Sequence, residues 1–569
     1  MLFAVRFIKA IVLVAENNCL SCSISQAAVS MAGLVHSASV TVPNFSDTYT
    51  VKGTLYIPYA EVKEPFYAYY DLDSGNSRID YYGGMVKTYQ LSNYGSKYGS
   101  TVKVVPVTTE TELNKDTCLR INGSSNDPVS VQSILPDTTG FENLGFDVLN
   151  GVNVEKWRLV VTNGEKINKY NLWIRYKNST KDPSVVEPIP VRYEMKGYNT
   201  LLGSHYDHYY LVYDWFTSDK PSIDAFNVSV TCGNFSNYDE NHIYLFNPMK
   251  EFVHNYDAHV DQAFEKFKSN HSKTYDSDKE HTLRKEAFRQ NLRFIHSKNR
   301  ANLGYTLGIN HLADRTDLEI RALRGKQYTA EKHYNGGLPF PYNTSEELDK
   351  LPVYIDWRLF GAVTPVKDQS VCGSCWSYGT TGAIEGAYFL KTGQLLRLST
   401  QALIDCSWGY GNNGCDGGED YRAYQWIIKH GGLPLEDEYG GYLGQDGYCH
   451  VNSVNLTAPI KGFVNVTSGD NNALKVAVAK TGPISVSIDA SHKTFSFYSN
   501  GIYYEKDCGN KEQNLDHSVV LVGYGNINGE DYWLIKNSWS NYWGNDGYIL
   551  MSPKDNNCGV ATAPTYVTM

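Results

Sequence analysis

The sequence predicts an α+β chain of several successive domains. Three observations carry this: a β-rich first part, a change to helical periodicity near residue 255, and a cysteine-rich last part that follows a Gly/Pro-rich linker. At 569 residues the chain exceeds what one hydrophobic core supports. Its 42% hydrophobic and 20% charged residues are an ordinary folded mixture, far from the composition of disordered segments. A formal charge of −10 and a pI near 5.9, with no basic stripe, argue against a nucleic-acid partner, which would need clustered Lys and Arg.

Residues 1–38 read as a leader: Arg6 and Lys9 precede the short apolar run Ala10–Ala15, and Met31 offers a second start with cleavage near Ala38. No run of about 18 apolar residues occurs, so no transmembrane segment is expected. Asn-X-Ser/Thr triplets at Asn44, Asn122, Asn178, Asn227, Asn234, Asn270, Asn343, Asn455 and Asn465 point to a glycoprotein of the secretory pathway, ending in the lysosome or outside the cell. Of the eleven cysteines, Cys19 and Cys22 fall in the leader and Cys118 and Cys232 in the next region. Seven follow residue 370, which reads as three bridges and one thiol kept free for chemistry.

Residues 39–250 form a β-rich module. Short Tyr, Val and Ile runs such as Tyr49–Ile57 and Trp157–Val161 alternate with turn signals at Asn150-Gly151 and Asn163-Gly164. Tyr67–Asp71 and Arg78–Tyr82 read as one aromatic hairpin. Cys118 and Cys232 read as a bridge from early to late in the module rather than as two free thiols. No catalytic constellation appears in it, so binding or scaffolding is its expected role, with an apolar ligand on a curved sheet as one form.

From residue 255 to 330 the pattern becomes charged and helical. Glu280, Arg284, Phe288, Asn291, Ile295 and Asn299 take bearings of about 0, 40, 80, 20, 60 and 100 degrees at 100° per residue, all on one face. An amphipathic helix explains the period but not the Glu, Arg and two Asn within the buried arc. Gly308–Asp314 reads as a short strand and turn. Residues 331–350, with Gly336, Gly337, Pro339 and Pro341, are a linker open to proteolysis. A compact domain, 351–569, follows.

Its strongest signal is Gln369-Ser-Val-Cys-Gly-Ser-Cys-Trp376. Gly373 and Ser374 permit a tight approach to a helix through Tyr378 to Leu390, and Cys375 sits in the first turn. There the exposed N–H groups and a neighbouring imidazolium would favour a thiolate. Cys372 is the competing nucleophile but precedes the helix. His517 follows Cys375 by 142 residues and heads a strand, His517–Val522, followed by a Gly turn at Gly523–Gly525. Asn537 ends the adjacent strand, placed to accept the other ring N–H, and Trp539 would shield that bond. The Gln369 amide and the Cys375 backbone N–H would form an oxyanion hole, where one lost donor costs roughly 10²–10³ in rate. Singly, each residue has an ordinary structural reading; the coincidence of four is what points to nucleophilic catalysis. No cofactor is called for, and the paired cysteines lack the His companions of a zinc site, so no metal is expected.

These blocks resemble the papain family, cathepsin L-like branch, over residues 351–569, and residues 255–330 resemble that family's inhibitory propeptide. The resemblance implies a two-lobed papain-like domain, one lobe helical and one β-barrel-like, acting as a cysteine endopeptidase on protein and peptide substrates. It implies a zymogen with its own propeptide as intramolecular inhibitor, and bridges Cys372–Cys415, Cys406–Cys449 and Cys508–Cys558. It puts substrate backbone against Gly417 and Gly418. It puts Glu419, Asp420, Ser487, Leu515 and Ala563 around the pocket for the second residue before the cut, where the two acids make the pocket less apolar than the family norm. The three-part layout is most similar to the insect 26/29 kDa cysteine proteinase type, and leaves open a cleaved N-terminal module that stays associated. Ser540 and Leu312 stand where the family has Gly and Phe. Acid is expected to loosen the propeptide by protonating carboxylates. The competing reading is a binding or carrier glycoprotein with an inactive peptidase domain; the completeness of Gln369, Cys375, His517 and Asn537 stands against it.

Overall fold

The computed structural model describes residues 42–107, 115–178, 184–230, 232–237, 248–255, 257–328 and 335–569; the leader and part of the linker lie outside them. Among these residues the first module is one twelve-stranded sheet. Its order is Ser236–Asn237, Lys115–Asn122, Ser100–Val107, Val86–Leu91, Asn76–Tyr81, Val62–Asp71, Thr48–Ile57, Ser204–Thr217, Val186–Asn199, Lys166–Asn178, Val152–Asn163 and Glu142–Leu149. Alternation builds it: along Val62–Asp71, residues 62, 64, 66 and 68 are buried while 63 and 65 are exposed. The aromatic hairpin pairs Phe66 with Tyr81 and Tyr70 with Ser77. Asn150 and Gly151, with φ of 52° and 79°, make the turn from Glu142–Leu149 to Val152–Asn163. The core of Tyr49, Leu55, Phe66, Trp157, Tyr193 and Leu211 also takes Met249, Phe252 and Val253. Cys118 and Cys232 are disulfide-bonded.

Helix α1 (Ala258–Asn270) and helix α2 (Asp278–Arg300) follow. Ser277 caps α2, its hydroxyl accepting the Glu280 N–H at 3.2 Å. Phe288 packs between Phe264 and Phe267 with ring centroids 5.3 and 5.0 Å away. The polar residues of the same arc hold the chain that returns beneath the helix. Asn291 Nδ2 donates to the carbonyls of Ala313 and Arg315, at 2.9 and 3.0 Å. Asn299 donates to the Leu307 carbonyl at 2.9 Å and accepts its N–H at 2.8 Å. Arg284 Nη1 donates to Glu319 at 2.8 Å. The strand expected within Gly308–Asp314 lies instead just before it, as β1 (Tyr305–Leu307), because Asn299 fixes Leu307 there. Beyond it, Gly308 N–H bonds the Phe497 carbonyl and Asn310 turns the chain through the Leu312 N–H.

The opposite face of α2, near 180–280 degrees on the same wheel, is buried against the module. Arg293 donates to both oxygens of Asp207, at 2.7 and 2.9 Å, and to Glu251 at 2.8 Å. Arg300 forks onto Glu64 at 2.6 and 2.8 Å, and the Ser297 hydroxyl donates to the same carboxylate at 2.6 Å. Periodicity in the sequence marks the arc of Phe288 and Ile295 and carries no signal for this face.

The last domain has two large cores and a small third around Val520, Val522 and Leu534. One gathers Trp376, Ile384, Leu403, Tyr424 and Trp426 around α3 (Cys375–Thr392) and α4 (Asp420–His430). The other large core, containing Phe495, Ile535, Trp539 and Trp543, is continuous with Phe264, Phe288 and Ile295 of the helical segment. Its sheet includes β2 (Tyr498–Tyr503), β3 (His517–Ile527) and β4 (Glu530–Lys536); β1 adds to its edge by pairing antiparallel with β2. Strand β3 passes through Gly523 and Gly525 to Ile527, so the turn expected at those glycines falls at Asn528-Gly529. The small residues let Ile355–Asp356 pair across Gly523.

Candidate active site

Helix α3 lies on β3 because Gly379 and Gly382 face it: a Cβ at either would meet Ser518 Oγ at 2.3 Å or Val520 Cγ2 at 2.6 Å. This close approach brings the first residue of the helix, Cys375, beside the first residues of the strand. Cys375 is fully buried and, among the described residues, is the cysteine outside any bridge; Cys372 is bonded to Cys415. Its sulfur accepts the Gly325 N–H at 3.3 Å, and the N–H of Ser518, the residue after His517, also points at it. Burial pushes the thiol up to about 11 in spite of these donors.

His517 is also fully buried. Asn537 Oδ1 lies 2.8 Å from His517 Nε2 and takes the Ser538 N–H at 2.8 Å as well. An oxygen already receiving a backbone N–H is an acceptor, so Nε2 carries the proton and the buried Nδ1, which has no other hydrogen-bond partner, keeps its lone pair. The Trp539 ring stands 4.8 Å from the imidazole and excludes water from this bond. Burial takes His517 down to about 4. The described state therefore holds a neutral thiol and a neutral imidazole.

Gln369, fully buried, is fixed through Oε1 by the Ser538 hydroxyl at 2.7 Å and donates from Nε2 to the Leu323 and Cys372 carbonyls, both at 2.7 Å. Leu323 opens a strap, Leu323–Gln327, that fills the cleft. The Lys326 N–H bonds the Asp516 carbonyl at 3.0 Å, the Gly418 N–H bonds the Gly325 carbonyl at 2.8 Å, and the Gln327 N–H bonds the Gly418 carbonyl at 3.1 Å. Arg324 pairs with Asp516 and Lys326 with Glu419, each at 2.8 Å. Presenting an amide N–H rather than a carbonyl carbon to the sulfur, the strap occupies the site without offering it a bond to attack.

Residues 351–568 match the family model described as "Papain family cysteine protease", and residues 264–320 match "Cathepsin propeptide inhibitor domain (I29)". A cathepsin L-like peptidase of Aedes aegypti is 46% identical over 317 residues, covering 54% of this chain and 93% of that protein. The chain belongs to the papain family of cysteine proteases. Human cathepsin L2 is 41% identical over 323 residues, covering 55% of this chain and 94% of its own length. The solved digestive procathepsin L 3 of Tenebrio molitor superposes with a TM-score of 0.50 at 38% identity, covering 55% of this chain and 99% of that one. The protein is thus a cysteine endopeptidase made as a zymogen, with its own propeptide as intramolecular inhibitor; an inactive carrier is not favoured.

Around the papain-family cleft, Gly417 takes φ of 114° and lies against the strap. Glu419 and Asp420 are buried at the start of α4; Asp420 accepts the Thr565 hydroxyl at 2.6 Å. Ser487, buried, pairs across the strands with Ser518; Leu515 is buried just before Asp516, and Ala563 is half-buried before Thr565. Cys406 is bonded to Cys449 and Cys508 to Cys558. Sequence reasoning foresaw an inhibitory propeptide but not which residues would fill the cleft. The available signal was Arg324-Gly325-Lys326, a glycine between two cations facing Asp516 and Glu419. No helix among the described residues is long and apolar enough to cross a membrane.

Proposed function

We propose that Cys375 is the nucleophile of this endopeptidase and His517 its base, with Asn537 orienting the ring and Gln369 and the Cys375 N–H binding the oxyanion. The observation that carries this is a sulfur outside any bridge at a helix start, set against a strand whose first side chain has its tautomer fixed by Asn537. Once the strap leaves, water and the helix N-terminus favour charge separation: the proton passes to Nδ1, and the thiolate attacks the scissile carbonyl. His517 protonates the leaving amine, giving a thioester. Water, deprotonated by His517, then releases the acid and regenerates the thiol. Gln369 Nε2, now on Leu323, is freed for the oxyanion.

In this reading the cut falls in the linker, 331–350, separating the peptidase at 351–569 from the propeptide at 255–330 and the module at 39–250. The module is expected to leave joined to the propeptide, since Glu64, Asp207 and Glu251 bind α2. Four disulfides and the sequons support the secretory pathway. The test is incubation of purified zymogen across acid pH beside Cys375→Ala, with an epoxide thiol-protease inhibitor as a titrant of the matured wild type. Stoichiometric labelling at Cys375, and no maturation of the variant alone, is the expected result. Maturation of the variant at the wild-type rate would refute self-processing, and label on another residue would refute the nucleophile.

A further inference from the structure

Glu419 is a carboxylate that a folded protein has reason to avoid: its side chain is only 8% exposed, and its partner, Lys326 Nζ at 2.8 Å, belongs to the segment that activation removes. Lys326 is itself 9% exposed at the side chain. Its backbone is held as an extended cleft ligand would be, by the Asp516 carbonyl on its own N–H and by Gly418 through the flanking Gly325 carbonyl and Gln327 N–H. The side chain therefore enters a subsite from the cleft and ends on an acid at its wall. Asp420 and Glu512 add negative charge toward the same ammonium. Arg422 partly opposes it from the side of Glu419. Burial lifts the Glu419 carboxyl above its ordinary value even with Lys326 beside it, so any side chain that refills this subsite and shuts water out must supply a countercharge. A substrate side chain carrying a cation restores the pair, whereas an apolar one leaves the acid buried and alone.

Resting on the peptidase reading above, we propose that the pocket walled by Glu419 selects Lys or Arg as the second residue before the scissile bond, and that Lys326 is the propeptide's stand-in for that side chain. The geometry gives the propeptide and the substrate one recognition element, so the acid that anchors the inhibitor is also the one that sets specificity.

The experiment measures kcat/KM of the acid-matured protein on dipeptidyl coumarin amides with Arg fixed before the cut and Arg, Lys, Leu or Phe in the second position, each with and without the epoxide inhibitor. Expected are Arg and Lys rates at or above those of Leu and Phe, an Arg-to-Leu ratio at least tenfold lower in Glu419→Gln, and partial retention in Glu419→Asp. The wild-type profile is informative by itself if a variant does not fold. A tenfold wild-type preference for Leu over Arg, or an unchanged ratio in Glu419→Gln, overturns the proposal while leaving the peptidase intact. No inhibitor-sensitive hydrolysis of any substrate overturns both.

Discussion

The strap crosses the Cys375 sulfur at Gly325, where a Cβ would stand 1.7 Å from the Gly373 carbonyl oxygen. Both atoms are tied to backbone, so Gly325→Ala must displace the strap or the turn before α3. The bonds at risk are Gly325 N–H to the sulfur at 3.3 Å, Gly418 N–H to the Gly325 carbonyl at 2.8 Å, Lys326 N–H to the Asp516 carbonyl at 3.0 Å, and the Lys326–Glu419 pair. At about 1 kcal/mol for each neutral bond and somewhat more for the charged one, the loss is about 3–5 kcal/mol of docking. That corresponds to an increase of about 10²–10⁴ in the open population. Alkylation of the uncleaved zymogen by iodoacetamide at pH 7 reads this directly. In the wild type the sulfur is fully buried, and that burial raises its thiol well above the ordinary value, so it is both shielded and uncharged at this pH. Opening removes both protections, so labelling at Cys375, located by mass spectrometry, should accelerate at least a hundredfold. Cys375→Ala supplies the background, and an unchanged near-ultraviolet circular dichroism spectrum shows that the domains remain folded. Equal labelling rates in wild type and Gly325→Ala would mean that the strap does not guard the thiol, and the reasoning would fail.

Arg293→Met leaves Asp207 and Glu251 buried without their shared cation, a loss of about 3–5 kcal/mol. The zymogen should melt several degrees lower, while the matured peptidase, which no longer contains α2, melts as wild type. Asn537→Ala frees the His517 ring to change tautomer; kcat should fall about 10–10²-fold with KM little altered and the acid limb of the pH profile displaced. A change in KM alone would assign Asn537 to packing. Burial works against ionisation of Glu319, yet the Thr316 N–H and Arg284 hold it down at about 2. A lowered carboxyl contributes stability fully above its ordinary value near 4.5 and loses it as pH falls toward 2. The melting difference between wild-type zymogen and Glu319→Gln should therefore hold from pH 7 to about 5, narrow progressively below about 4.5 and close near pH 2. The same difference at pH 2 and 7 would show that the side chain acts by shape and not by charge.

The candidate site was legible because each of its residues reports a local event: Cys375 at a helix start, His517 and Asn537 on neighbouring strands, Gln369 a few residues upstream. The strap was not, because it is recognised mainly through its backbone, and its two informative charges meet acids that lie 93 and 192 positions away. Helix α2 shows the same limit from the other side. Its arc of Phe288 and Ile295 declares a buried face, but Arg289, Arg293 and Arg300 look like solvent until Asp207 and Glu64 are brought to them by strands far upstream. Periodicity measures apolarity, and a face buried through ion pairs has none to measure. Such pairs add little net stability over apolar packing of the same volume, but a misplaced register leaves several charges buried and unpaired. The module therefore positions α2 more than it strengthens it. A helix held in register on that side fixes, through Asn291 and Asn299, the returning chain at Leu307, Ala313 and Arg315 that leads into the strap, which ties a sheet with no candidate site of its own to the inhibition of the peptidase.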